Sequence, residues 1–209
     1  MGNILFINNS EQTLLERLRK NDSVAQRHLF DLYQKKLFTV CFRYLRDEDE
    51  ALDALNRSFL KIFEKIHQYK AEAKLETWLQ RITINTCLDC IKSNKNYKHT
   101  FIQTNEFNLY GEPDECHNNI NEWWEAATAI PAAILYQLIE ELPPATRTVF
   151  NLYAIDDFTH LQISEQLKIS TGTSKWHLNN ARSILKENVT QLISNKKSNH
   201  GARDAKNNR

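Results

Sequence analysis

The cysteines are the most reactive side chains of this 209-residue chain, and Cys87 and Cys90 form a C-x-x-C pair. This spacing serves both zinc binding and thiol redox chemistry. A structural zinc site needs four ligands, and no second ligand pair lies nearby in the sequence. Both cysteines also fall in an apolar helical pattern that no strand precedes. We therefore expect half-buried helix residues here rather than a metal or redox centre.

A second set of side chains is suited to nucleic acid. In the run K-W-H-L-N-N-A-R-S-I-L, Leu178, Ala181 and Leu185 share one helical face and should pack on a core. The residues expected to point away from that core are Lys175, Trp176, His177 and Asn180. An indole on a polar face rarely lacks a partner surface, which favours a binding surface over a merely solvated helical hairpin.

Two short helices must position these side chains. Thr159 is expected to cap a helix over residues 160–167, and Gln162 completes a capping box. A three-residue break at 168–170 follows, and then a last helix over about 171–189. This pattern predicts a helix-turn-helix, in which the N-terminal part of the second helix enters the major groove of DNA.

The N-terminal half has a separate helical pattern. Apolar residues recur at helical spacing from Glu11 to Ile91, and the acidic run Asp47–Glu50 opens one of the helices. The pattern breaks over His67–Lys74, which predicts a loop, and resumes in a helix over about Leu75–Asn94. Only four glycines and four prolines occur in the whole chain. This composition favours an all-α protein of two small helical domains.

Charge divides the chain more sharply than its net value of +1 suggests. Residues 1–98 hold 17 Lys and Arg against 13 Asp and Glu, whereas residues 99–146 hold eight acids and no Lys or Arg. We expect a first domain at 1–98, an acidic flexible linker at 99–130, a second domain at 131–194 and a basic disordered tail at 195–209. Two mildly basic ends, and not the net charge, determine how the chain meets a DNA polyanion.

No run approaches the roughly 18 apolar residues that span a bilayer. The apolar stretch Ile4–Ile7 is short and lacks preceding basic residues, so it is a poor signal peptide. Phe6 stands where a myristoylation motif requires Ser or Thr. We expect a cytoplasmic protein without membrane insertion.

Several motifs together resemble the extracytoplasmic-function sigma factors. The run L-P-P-x-x-R-x-V-F at Leu142–Phe150, with the helix-turn-helix after it, is similar to their region 4. The segments Phe30–Phe38, Glu50–Phe63 and Leu75–Lys92 are similar to their region 2. The resemblance implies a protein without enzymatic activity or cofactor. Such a protein binds core RNA polymerase and directs it to promoter DNA by reading −10 and −35 elements.

The resemblance also implies three sets of site residues. Docking on the clamp helices of the largest polymerase subunit is implied for Asp53, Leu55, Asn56 and Phe59. Contacts to the −10 element, including a base flipped into the loop, are implied for His67, Tyr69, Lys70, Trp78, Asn85, Asp89 and Lys92. Contacts to the −35 duplex are implied for Arg147, Ser170, Thr173, Lys175, Trp176, His177 and Asn180. The second polymerase subunit would contribute its flap.

The chain departs from the family pattern at some of these positions. Leu52, Asn56 and Arg57 replace residues that are more often Glu, Gln and Glu, which reduces the acidic character of the docking helix. Lys168 replaces a glycine common in the turn, and Trp176 stands where a small polar residue is usual. The base preference of relatives is therefore not transferred to this chain.

Other interpretations stay open at this point. For Trp78, a core role that braces the helix against the loop competes with base stacking. The acidic linker suits either an RNA channel of the polymerase or a solvated spacer. The resemblance implies control by an anti-sigma factor for most such proteins, and by a phosphorylated response regulator or by transcription for some. A stand-alone helix-turn-helix regulator with a helical sensor domain is the main alternative function, followed by a thiol or metal enzyme.

Overall fold

The computed structural model describes residues 9–93 and 130–204, and all regular structure in these ranges is helical. The chain divides into two compact units, residues 1–95 and 96–209. The predicted all-α architecture of two helical domains is therefore confirmed for the described residues. The predicted linker lies outside them except for Ile130, as do residues 205–209.

The described part of the N-terminal unit contains α1 (Asn9–Arg19), α2 (Ser23–Leu45), α3 (Glu48–Lys65) and α4 (Leu75–Ser93). A 3-10 turn at Ile66–Gln68 follows α3 directly. Helices α2, α3 and α4 pack against one another, and α1 packs against α2 and the 3-10 turn. The side chains at the centre of this core include Leu29, Leu37, Ile62, Leu79 and Leu88.

Aspartates begin two of these helices. The Asp22 carboxylate accepts hydrogen bonds from the backbone amides of Val24 and Ala25, and the Asp47 carboxylate accepts one from Glu50 at 2.9 Å. Each bond satisfies a backbone donor that has no partner inside its helix. The acidic run therefore opens α3 as predicted, and the interruption between α3 and α4 falls at the predicted loop.

The C-terminal unit contains α5 (Ala132–Glu140), α6 (Pro144–Phe150), α7 (His160–Leu167) and α8 (Thr171–Asp204) among its described residues. A π-helical turn at Asn151–Ile155 continues α6. The core between α5 and α8 consists of Leu138, Ile139, Leu142, Ala181, Leu185 and Val189. None of the helices in either described range has the length and apolar character needed to cross a membrane.

The start of α8 is as predicted, whereas its end is not. The helix was expected to end near Val189, but it continues to Asp204, so residues 195–204 are helical and not part of a disordered tail. The physical reason is the lack of a stop signal. Residues 190–200 contain neither glycine nor proline, so nothing in that stretch interrupts the helical hydrogen bonds.

Candidate nucleic-acid interface

Helices α7 and α8 form the predicted helix-turn-helix. Thr159 and Gln162 make the reciprocal hydrogen bonds of a capping box at the start of α7. Ile163 and Leu167 are fully buried, and on α8 Leu178, Ala181 and Leu185 share the buried face. The predicted core side of the second helix is therefore confirmed, and Thr171, Gly172 and Lys175 near the start of α8 are exposed.

Ser170 caps that exposed end of α8. Its hydroxyl accepts a hydrogen bond from the backbone amide of Thr173 at 2.9 Å and lies 2.8 Å from the Thr173 hydroxyl. Ser170 itself and Lys175 are exposed, as expected of residues that meet DNA. The expectation for the Thr173 side chain is wrong, because it is 1% exposed and contributes to the cap.

His177 also differs from the expectation that it points away from the core. Its side chain is 1% exposed, and its Nδ1 lies 3.0 Å from the Thr146 hydroxyl on α6. Burial lowers the pKa of His177 to about 4, so the imidazole is neutral at physiological pH. Position 177 precedes Ala181 by one helical turn, which places it on the buried face together with Leu178. His177 is therefore a core residue.

Two other predicted −35 residues are partly occupied by contacts within the unit. The Arg147 guanidinium donates to the backbone carbonyls of Glu140 and Leu142, at 2.9 and 3.3 Å, and so braces the junction of α5 and α6. The Asn180 amide lies 3.5 Å from the Thr146 hydroxyl and is half-buried. Trp176 is half-buried too, with its ring edge-on to His177.

A cationic side chain missed from the sequence is Arg182 on α8. The His160 ring stacks on Tyr153 at 4.5 Å, and its Nδ1 lies 2.9 Å from the Ser174 hydroxyl. Burial lowers the pKa of His160, and the positive charges of Lys175 and Arg182 lower it further. Both cations are therefore close to one edge of the helix-turn-helix. The available signal was spacing, since seven residues correspond to about two turns of α8.

In the N-terminal unit, the loop before α4 separates into a buried and an exposed part. Tyr69 is 4% exposed and its ring lies 5.4 Å from that of Trp78, so Tyr69 does not present its ring at the surface as a base reader would. Trp78 is half-buried and contacts the loop through Tyr69, a position that is compatible with both the bracing role and base stacking. His67 and Lys70 are exposed, consistent with the expectation for them.

The polar side of α4 carries one charged network. Asp89 pairs with Lys61 of α3 at 3.2 Å and with Lys92 at 3.0 Å. Partial burial acts to raise the pKa of Asp89, but the hydrogen bonds from Lys92 and Lys61 outweigh it and lower that pKa. Asn85 is half-buried, and its Oδ1 has no hydrogen-bond partner among the described residues. This amide oxygen is enclosed within the unit and has almost no surface exposed to solvent.

Helix α3 corrects two of the expected polymerase contacts. Leu55 and Phe59 are each 3% exposed, and the Phe59 ring packs 4.6 Å from that of Phe30 on α2. Their side chains form the core because they lie on the inner stripe of an amphipathic helix. Asp53 and Asn56 are exposed as expected, and Asp53 pairs with Arg57 at 3.0 Å.

The outer face of α3 instead carries apolar residues that the sequence reasoning did not assign to the interface. Leu52 is 50% exposed and Leu60 is 70% exposed. Both lie one turn from the exposed Asn56, so the three residues form a continuous outer stripe. The 3.6-residue period could have identified this stripe once Leu55 and Phe59 had been assigned to the core.

The C-x-x-C pair has no reactive geometry. Cys41 and Cys87 are fully buried, and their mutual hydrogen bond together with burial raises the pKa of Cys87. Cys90 is half-buried, and desolvation raises its pKa despite the guanidinium of Arg57 nearby. Raised pKa values disfavour the thiolate, which is the nucleophilic form. Among the described residues, no group of three or more His, Cys, Asp or Glu could hold a metal ion.

Comparison with known proteins agrees with this geometry in both units. The Sigma-70 region 2 family matches residues 29–97, and the Sigma-70 region 4 family matches residues 132–185. A stand-alone regulator would leave the first match without a purpose. The ECF RNA polymerase sigma factor SigW of Bacillus subtilis is 26% identical over 188 residues, which cover 85% of this chain and 96% of SigW.

The ECF RNA polymerase sigma-E factor of Salmonella typhimurium is 25% identical over 188 residues, covering 88% of this chain and 96% of the relative. A solved structure of the sigma factor RpoE in complex with the anti-sigma factor NepR from Bartonella quintana has 16% identity and a TM-score of 0.45. It covers 79% of this chain and 96% of that one. On the two domain matches and these relatives, the chain belongs to the extracytoplasmic-function RNA polymerase sigma factors, which direct the polymerase to promoters.

Proposed function

We propose that the two units divide promoter recognition between them, and that each uses a defined exposed surface. The N-terminal unit docks on core polymerase and reads the −10 element as single-stranded DNA. The C-terminal unit reads the −35 element as a duplex. Two observations carry this proposal: Ser170 and Lys175 are exposed at the start of α8, and the other unit matches sigma region 2. Neither step requires covalent chemistry.

The polymerase-binding surface is the outer stripe of α3, Leu52, Asn56 and Leu60, flanked by Asp53. Leu52 and Leu60 are both at least half exposed and lie on one face of the helix, where together they form a small apolar patch. Such residues gain free energy only when a partner covers them. This surface revises the expected contacts, because Leu55 and Phe59 support it from beneath and do not touch the polymerase themselves.

The −35 surface consists of Ser170, Lys175, Trp176 and Arg182. Lys175 and Arg182 supply positive charge where the backbone of DNA passes a recognition helix, and contacts of this kind fix the register of binding. The half-buried Trp176 adjoins Lys175 and adds a partly exposed indole to this surface. His177 and Thr173 act only by holding α8 in place, and Arg147 braces the connection between α5 and α6.

The −10 surface combines the exposed loop residues His67 and Lys70 with the polar side of α4. Asn85 is half-buried on this helix, and a side-chain amide has the donor and acceptor groups that pair with the Watson–Crick edge of an unpaired base. Lys92 lies farther along α4, where a phosphate contact would compete with Asp89 for its ammonium group.

Joint binding follows from tethering. The two promoter elements lie about one and a half turns apart, roughly 50 Å at about 34 Å per turn of B-DNA. A linker of about 30 residues reaches roughly 100 Å when extended, so it covers this separation. Two modest interactions that are linked in this way bind strongly only when polymerase fixes a matching geometry. The chain would act in the cytoplasm, where the polymerase and the promoters are.

Regulation by a protein partner is part of the same proposal. The Bartonella quintana relative was solved in complex with an anti-sigma factor. An anti-sigma factor that covers the outer stripe of α3 would compete directly with polymerase. A phosphorylated response regulator would act instead by making the outer stripe of α3 accessible to polymerase.

The test of the docking surface is a substitution at its most exposed residue. Leu60→Asp should leave the helical content unchanged, because the side chain is 70% exposed. Removing a leucine that becomes buried in the complex costs about 1.5–3 kcal/mol, which corresponds to roughly 10- to 100-fold weaker binding of core polymerase. Val24→Asp on α2, at a position 65% exposed, is the matched control. Equal binding by both variants would contradict the proposed surface.

A further inference from the structure

The loop between the 3-10 turn and α4 is held in place by a helix fifty residues away. The Arg19 guanidinium at the end of α1 donates a hydrogen bond from Nη2 to the backbone carbonyl of Tyr69 at 3.0 Å. The Tyr69 hydroxyl in turn donates to the carbonyl of Ala73 at 2.7 Å. The Tyr69 ring lies 5.4 Å from that of Trp78, at the start of α4. Tyr69 thus holds the loop through three contacts, which involve its backbone carbonyl, its hydroxyl and its ring.

The backbone inside this span is strained. Ala71 has a φ of 58°, a left-handed conformation that residues with a Cβ rarely adopt. Such a conformation persists only where the surrounding structure determines it, and it is concentrated in ligand-binding segments. The two hydrogen bonds at Tyr69 and Ala73 lie on either side of Ala71 and supply this constraint.

Residues of this loop divide into one that is buried against the rest of the unit and two that are exposed. Tyr69 is buried, and burial, Glu11 and the neighbouring Tyr33 raise its pKa, so the hydroxyl stays protonated and keeps its role as a donor to Ala73. His67 and Lys70, on either side of Tyr69, are exposed. One part of the loop therefore faces the scaffold, and the other part faces the solution.

We propose that Arg19 is a positioning residue, which sets the shape of this loop before DNA arrives and so determines how selectively a base of the −10 element is bound. This inference rests on the proposed function and deepens it, because it gives α1 a role in promoter reading. A receptor that already has its bound shape avoids the ordering cost at the moment of binding. Arg19 does not touch the base; it acts through the Tyr69 carbonyl.

The experiment uses the full chain in complex with core polymerase. Partly unpaired promoter DNA is compared with the same DNA carrying an abasic sugar at each unpaired −10 position in turn. The wild type should show a strong loss of affinity at one position, the base held by the loop. Arg19→Met keeps the aliphatic stem but removes the donors, and we expect it to reduce that position-specific discrimination on the order of tenfold. Arg19→Lys should restore part of it.

Arg17→Met is the matched control. Arg17 lies on the same helix and pairs with Asp22 at 2.8 Å, so this variant loses an equal charge and a comparable contact without touching the loop. It should discriminate as the wild type does. Binding of core polymerase and of the −35 duplex should be the same in all variants, which a general loss of folding would not allow.

A second variant keeps the inference open to refutation if Arg19→Met folds poorly. Tyr69→Phe removes only the bond to the Ala73 carbonyl and should weaken discrimination at the same DNA position. Unchanged discrimination in a folded Arg19→Met would overturn the role of Arg19. If that variant does not fold, unchanged discrimination in Tyr69→Phe would overturn the fixed loop shape on which that role depends. Failure of the wild type to bind core polymerase would instead refute the proposed function, so the two failures are distinguishable.

Discussion

The turn of the helix-turn-helix contains a lysine in a backbone conformation that a residue with a side chain disfavours. Lys168 ends α7 with φ 54° and ψ 41°, and its backbone amide donates to the carbonyl of Ser164. The left-handed conformation costs an L-residue about 1–2 kcal/mol, because Cβ approaches the following carbonyl oxygen. Glycine avoids this cost, but it loses about 0.5–1 kcal/mol more chain entropy on folding. Lys168→Gly should therefore stabilise the C-terminal unit by roughly 0.5–1 kcal/mol.

The size of this effect is measurable in the full chain. For a domain of 60–100 residues, 1 kcal/mol shifts the melting temperature by about 4–8 °C, so we expect a rise of about 2–8 °C. Because the two units can unfold separately, hydrogen exchange of peptides from α7 and α8 is the appropriate assay. It reports the free energy of opening of this unit alone.

Lys168→Ala is the control that separates backbone from side chain. Alanine keeps the Cβ and the strain but removes the charge and the aliphatic stem of an exposed lysine. It should change the opening free energy by less than about 0.5 kcal/mol. If Lys168→Gly is no more stable than Lys168→Ala, then left-handed strain at the turn is not a cost to this fold, and the reasoning is refuted.

Three further results are expected. Asn151 is fully buried, and neither polar atom of its side chain is hydrogen-bonded within the described residues. Asn151→Leu should therefore increase the free energy of unfolding by about 1–3 kcal/mol, measured as a higher urea midpoint. A lower midpoint would contradict this. The pKa of His177 falls from its ordinary 6.5 to about 4 on folding, so the unfolded chain binds a proton first as pH drops through this range. The free energy of unfolding should therefore fall by up to about 3 kcal/mol as the pH drops from 6.5 to 4. The lowered pKa of His160 adds to this loss with the same sign. In His177→Gln, the urea midpoint should depend much less on pH over this range. Lys175→Ala should weaken −35 duplex binding uniformly across sequences and reduce the salt dependence by about one counterion in a salt titration, whereas Lys186→Ala, about three turns farther along α8, should not.

The sequence was most informative where the determinants are local. The capping box at Thr159 and Gln162 depends on residues three apart and predicts the start of α7, and the break at 168–170 predicts its last residue. The acidic start of α3 and the loop before α4 are equally local signals. The core face of α8 follows from helical periodicity alone, because Leu178, Ala181 and Leu185 leave little choice of register.

Errors arose where a residue depends on a partner far away in the sequence. His177 is polar, but Thr146 on another helix supplies a hydrogen-bond partner that permits its burial. Tyr69 resembled a base-stacking residue until Trp78 and Ala73 occupied its ring and hydroxyl. Leu55 and Phe59 were assigned from family positions, and only the packing of Phe30 shows that they face inward. The contact between Arg19 and the loop has no local signal at all.

The most direct test of the central claim is transcription by reconstituted holoenzyme. Purified chain and bacterial core RNA polymerase would be incubated with a genomic promoter library, and the start sites of the transcripts would be mapped. We expect a two-part motif to recur upstream of the start sites, with its halves about one and a half helical turns apart. Asn85→Ala and Lys175→Ala should each reduce initiation. Stable binding to core polymerase with transcripts that share no such motif, or that are unaffected by both substitutions, would contradict the account.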